Sequence, residues 1–165
     1  MNVACFPFGP ENMSAIHEAG HAVFCIALGR ALTKISLIGD LEGDASAEHT
    51  AKHSTNAEVV EEVAIMLAGG AAAELWNFQT NNDSDEERAY RALSYCFADR
   101  DAIDMREQIR SCVKATIGNL VWPIALLAMG LIVAGECDGF RATKVIQSTF
   151  VADPRLKECL RQVAL

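Results

Sequence analysis

Apolar residues in this chain recur mostly at the spacing of one helical face, so helices are predicted over most of its length. The first runs from about Pro10 to Leu28, since proline suits a first helical turn and Gly29 a stop. Ala15, Ile16, Ala19, Ala22, Val23, Phe24, Ile26, Ala27 and Leu28 make it apolar nearly all round, which predicts a buried helix. Residues 34–38 read as a strand ending at Gly39-Asp40, and residues 42–53 as polar chain, irregular or edge strand. Thr55 and Glu58 have capping-box spacing and open a second helix with the stripe Val59, Val63, Leu67, Gly70 and Glu74. Gly69-Gly70, set among alanines, suits the close approach of another helix. After a loop over residues 77–83 rich in Asn and Asp, Ser84 and Glu87 form a second capping box and start a helix reaching about Asp99. Further helices are predicted at 102–114, 120–134, 140–151 and 154–163, with a turn at 135–139. The fold class expected is mainly α, a compact helical domain with a small β element near residues 34–48.

Composition narrows this picture only a little. The 165 residues suit a single domain, and the 51% that are hydrophobic suffice for one core. A net charge of -8 repels phosphate backbones and argues against a nucleic-acid partner. The most membrane-like stretch, residues 121–134, is shorter than the roughly 20 residues a spanning helix needs and contains Pro123 and Gly130. A buried core helix is expected there instead of a membrane span, and the first residues lack a signal-peptide pattern. The six cysteines are scattered, with no C-x-x-C pair, and several lie in apolar helical patterns where a free thiol acts as a small hydrophobe. That usage suggests a reducing cytoplasm.

One motif carries chemistry. His17-Glu18-Ala19-Gly20-His21 fits H-E-x-x-H. Helical spacing of four puts both imidazoles on one face, where they can share a metal ion. Glu18 follows the first ligand and can reach a metal-bound water without ligating the metal itself, as the base of metal-assisted amide hydrolysis. The competing reading is a surface helix with two solvated histidines, and the apolar surroundings argue against it, because buried histidines and a buried glutamate need partners.

A catalytic zinc usually takes three protein ligands. His49 and His53 are spaced i, i+4 but lie in a polar stretch, where solvated loop histidines are the simpler reading. In the third predicted helix, Asp85 falls on a stripe with Ala89, Ala92 and Cys96 and would point inward at the helix start, as a ligand or merely as a partner of the helix dipole. Glu74 competes, as a third ligand or as a partner orienting a histidine. Asp83 is a weaker option, with simple N-capping as its alternative.

Three blocks in order resemble the peptidase domain of the FtsH family of ATP-dependent, membrane-anchored zinc proteases. They are HEAGHAV at 17–23, LAGGAAAEL at 67–75 and NDSDEERAYRAL at 82–93. KISLI at 34–38 is similar to the strand after the motif helix, and residues 120–139 to the closing helices, so the resemblance covers most of the chain. It implies a zinc cofactor, Asp85 as third ligand and Glu74 close behind the ligands. It also implies a mostly helical fold, with polypeptide substrate pairing along an edge strand near residues 35–48. The chain departs from the family in having no G-x-x-x-x-G-K-[ST] segment, Ala71 for the family's arginine, Leu75 for its second glutamate, and Gln79-Thr80-Asn81-Asn82 for the glycine-rich lead-in. The expected function is a zinc endopeptidase acting on unfolded or peptide substrates. The alternative is a catalytically silent zinc domain that binds a partner. Family analogy adds a homo-oligomer, or an ATPase supplied in trans, as further partners to consider.

Overall fold

The computed structural model describes residues 8–38, 42–44, 55–78, 83–149 and 154–164. The chain folds as a mainly α domain in the order α1 (Met13–Ala27), β1 (Lys34–Ile38), β2 (Glu42–Asp44), α2 (Asn56–Leu75), α3 (Asp83–Ser94), α4 (Asp99–Ile117), α5 (Val121–Ala134), β3 (Glu136–Asp138), α6 (Gly139–Thr149) and α7 (Pro154–Val163). A single 3-10 turn, Pro10–Asn12, leads into α1, and another, Gly118–Leu120, joins α4 to α5.

The two most apolar helices of the first half, α1 and α2, cross at the centre. Ile16, Val23 and Phe24 of α1 and Val60, Val63 and Ala68 of α2 have no accessible surface. Burial of each large side chain contributes about 1.5–3 kcal/mol. The crossing is close because both helices present glycine. A Cβ on Gly20 would lie 2.6 Å from Ala72 Cβ and 2.8 Å from the Ala68 carbonyl. The helix ends follow local chemistry. Gly29 adopts φ +76° just past α1, where its amide donates to Ile26 O at 2.9 Å. Thr55 Oγ1 accepts from the Glu58 amide at 3.3 Å while Glu58 Oε2 accepts from the Thr55 amide at 3.0 Å, so the expected capping box closes. Below the crossing, Arg30 joins the chain after α1 to α2 through Glu61 and the buried Glu62, at 3.2 Å to each, and through Glu58 O at 2.9 Å.

The sheet is antiparallel, in the order β2-β1-β3. Ser36 pairs with Asp44 on one side and with Glu136 on the other. One expectation changes here. Residues 136–138, read as part of a turn, form a strand, because β1 supplies backbone partners about a hundred residues earlier in the chain. β1 is central, so its own main chain is already paired, and among the described residues the outer strands are β2 and β3, β2 lying within the 35–48 range expected to offer an edge. Gly139 lets the chain return from β3, since a Cβ there would sit 1.6 Å from Leu32 O.

The helical boundaries shift in two places. α3 stops at Ser94, short of Asp99, and Ser84 lies inside its first turn instead of capping it. α4, the 3-10 turn and α5 follow one another as a helical run, Asp99–Ala134, long and apolar enough to cross a membrane, with half of its most apolar window buried in the domain. On α5, Ile124, Ala125, Ala128 and Leu131 are fully buried, while Trp122, Met129, Ile132 and Val133 are exposed.

Cysteine behaviour is mixed. Cys112 and Cys159 are disulfide-bonded and tie α4 to α7. Cys25, Cys96 and Cys137 form no disulfide among the described residues, and burial pushes the Cys25 thiol up to about 12. The bridge removes cysteine usage as a ground for a reducing compartment.

Candidate metal centre

α1 carries His17 and His21 one turn apart, facing α2. Burial along the helix follows its apolar composition, which draws Glu18 and His21 into the interior at 5% and 8% exposure. His21 is oriented by its far nitrogen, because Nδ1–H donates to the Ile65 carbonyl of α2 at 2.7 Å. That bond leaves the Nε2 lone pair pointing outward, the arrangement usual for a metal-ligating histidine. Nε2 of His21 lies 2.9 Å from Nε2 of His17, and the two rings meet edge to face.

Asp85 completes the group from the first turn of α3. Its Oδ2 is 2.9 Å from His17 Nε2 and 3.3 Å from His21 Nε2. His17, His21 and Asp85 are the one group of three ligand-type side chains with atoms this close among the described residues. Two imidazole nitrogens and a carboxylate oxygen converge on one point, a donor set that a single shared divalent cation can satisfy at once. Ligands about 2.0–2.1 Å from a tetrahedral zinc are about 3.3 Å apart, close to the spacings here. The backbone leaves room as well. A Cβ on Gly69 would fall 2.4 Å from His21 Nε2 and 2.8 Å from His17 Nε2, in the space both nitrogens face. The donor set and its cradle therefore fit a zinc ion, with Lewis-acid demand met by two imidazoles and one carboxylate.

The titration behaviour reflects this crowding. Burial is the largest influence on His17 and lowers its pKa, with the neighbouring His21 acting the same way against the pull of Asp85. Burial also depresses His21, but its bond to Asp85, the charges of Glu18 and Asp85 and the Ile65 carbonyl outweigh it, and the net direction is upward. For Asp85, burial works upward, yet hydrogen bonds from His17 and His21 hold the carboxyl well below the usual carboxylate range. The side chains of His17 and Asp85 retain 16% and 14% exposure, so the centre opens to solvent on their side.

The other expected residues are elsewhere. Glu74 ends α2 half-exposed and pairs with Lys114 of α4 at 2.8 Å, because its helix has turned it away from the histidines by then. His49 and His53 lie outside the described residues, as does the Asp83 side chain. Sequence reasoning missed Gly69 as the floor of the centre and Gly20 as its partner in the crossing. The Gly-Gly pair among alanines was the available signal, read only as helix packing.

No protein-family model matches this chain, and no curated protein matches it. The class defined so far is a mainly α domain with a His-His-Asp constellation assembled from two helices.

Proposed function

We propose that this domain is a zinc metallopeptidase, similar in its helical HEAGH centre to the FtsH peptidase domain and able to cleave peptide substrates without ATP. The observation that carries the reading is the convergence of His17, His21 and Asp85 with the buried Glu18 on the same helix. A zinc ion held there supplies a Lewis acid that polarises a scissile carbonyl and acidifies water. The remaining work belongs to the chain. His17, His21 and Asp85 hold the ion, and the Ile65 carbonyl keeps the His21 ring in the tautomer that presents Nε2. The Glu18 carboxylate takes a proton from the attacking water and passes it to the leaving amine. An extended polypeptide would add main-chain hydrogen bonds to an outer strand of the sheet, and β2, which packs beside α1, is the outer strand nearer the motif helix among the described residues.

The test is cleavage of a quenched, unstructured peptide by the zinc-loaded protein without ATP. Cleavage should fall by about 10²–10⁴-fold in Glu18→Gln, which removes the base. It should also vanish on chelation and return with zinc. One zinc bound per chain with no cleavage of any flexible substrate would transfer the assignment to a silent, partner-binding zinc domain. Failure to bind zinc at all would end both.

A further inference from the structure

Asp85 reaches the centre from α3, and α3 is held from its opposite side. Glu86, the next residue, turns away from the histidines toward α4. Its Oε2 accepts from Arg110 Nη2 and lies 3.8 Å from Arg106 Nε. Glu107 grips the same two arginines, accepting from Arg110 Nη1 at 2.8 and 2.9 Å and from Arg106 Nη2 at 3.3 Å. Two carboxylates and two guanidinium groups thus alternate across the α3–α4 contact. Glu86, Arg106 and Arg110 are each only about a quarter exposed, at 28%, 24% and 27%.

A second ion pair on α3 supplies the contrast. Glu87 and Arg91 pair within the helix and are 61% and 65% exposed. Such a pair supports the helix slightly but does not say where it sits. The Glu86 network joins two elements and does fix that position.

The lever is short. Neighbouring helical residues point about 100° apart, so Glu86 can face α4 while Asp85 faces α1. A rotation of α3 by roughly 20° about its axis would swing the Asp85 carboxylate by more than about 1 Å. Metal–ligand distances tolerate only about 0.2 Å.

We infer that Glu86, Arg106 and Arg110 are positioning residues for the metal centre, a charge clamp between α3 and α4 that holds Asp85 at ligand distance from His17 and His21. The inference rests on the zinc reading above. Zinc affinity, measured by competition with a chromophoric chelator, tests it separately from activity. Glu86→Gln and Arg110→Ala should each weaken zinc about 10–100-fold. Arg110→Lys should recover part of the loss, and Glu87→Gln should bind as the unaltered chain does. Cobalt in place of zinc should show altered d–d bands in Glu86→Gln, which a purely structural role would leave unchanged. Unaltered affinity and spectrum in Glu86→Gln would overturn the inference. So would an equal loss in Glu87→Gln. Glu86→Gln is nearly isosteric and removes no side-chain volume, so it stays decisive if Arg110→Ala fails to fold. An unaltered chain that binds no zinc would instead remove the metal reading itself.

Discussion

The two sides of the candidate centre are built by different physics. The α1–α2 side is apolar and interlocked. Gly20 and Gly69 bring two backbones together, and His21 is fixed by a buried hydrogen bond to a helical carbonyl. The α3–α4 side is largely polar. Among the described residues of α3 only Ala89 and Leu93 are fully buried, and the first turn is held to α4 by charges near the surface. Close packing leaves no room for adjustment, whereas an ion-pair network can shift by a rotamer. The histidine pair is therefore the rigid half of the site and the carboxylate the adjustable half.

The harshest way to break the rigid half is Gly69→Ala. The added methyl would occupy the space both Nε2 atoms face, and zinc binding should be lost altogether. Forced repacking should also cost about 1–3 kcal/mol of stability. Competition titration and thermal unfolding read the two effects. Retained tight binding would show that the α1–α2 crossing can open, contrary to the contrast drawn above.

Acidification acts on both halves unequally. A ligand nitrogen must lose its proton to bind metal, so affinity rises with pH. His21 holds its proton above the ordinary value of about 6.5, whereas His17 releases its proton more readily and Asp85 stays charged well into acid. Zinc affinity should therefore begin to fall while the pH is still above about 6.5, by about tenfold per unit once His21 is protonated. A midpoint shifted below that value would contradict the orientation of His21 by Ile65 and Asp85. Metal titrations from pH 8 to 5.5 decide it.

The mildest change is a glycine where nothing interlocks. Gly130 lies in the exposed middle of α5, and a Cβ there meets nothing within 4 Å. Gly130→Ala should stabilise the protein by about 0.5–1 kcal/mol and leave zinc affinity alone. Denaturant unfolding measures it, and the opposite sign to Gly69→Ala is the point of the pair.

Much of this was legible along the chain because the signals were local. The capping box at Thr55 and the left-handed stop at Gly29 depend on residues within one turn. The strand at 34–38 and the apolar composition of α1 were equally readable. Longer-range features were not. The strand at 136–138 exists only because β1 lies beside it. Glu74 shares a stripe with Gly70 in sequence, but the crossing places the histidines near Gly69 and leaves Glu74 with Lys114. The Cys112–Cys159 bridge joins two helices whose packing no local pattern encodes.

By itself, the sequence determined that this protein is mainly helical and that two imidazoles and a carboxylate sit on one helix, because a 3.6-residue period fixes which side chains share a face. Only the tertiary structure decided which acid joins them, since Asp85 is 64 residues beyond His21 and reaches it through the packing of α3 on α2 and α4. It also decided that Gly69 must stay bare, because that need arises from an approach between helices and leaves no trace in either helix alone.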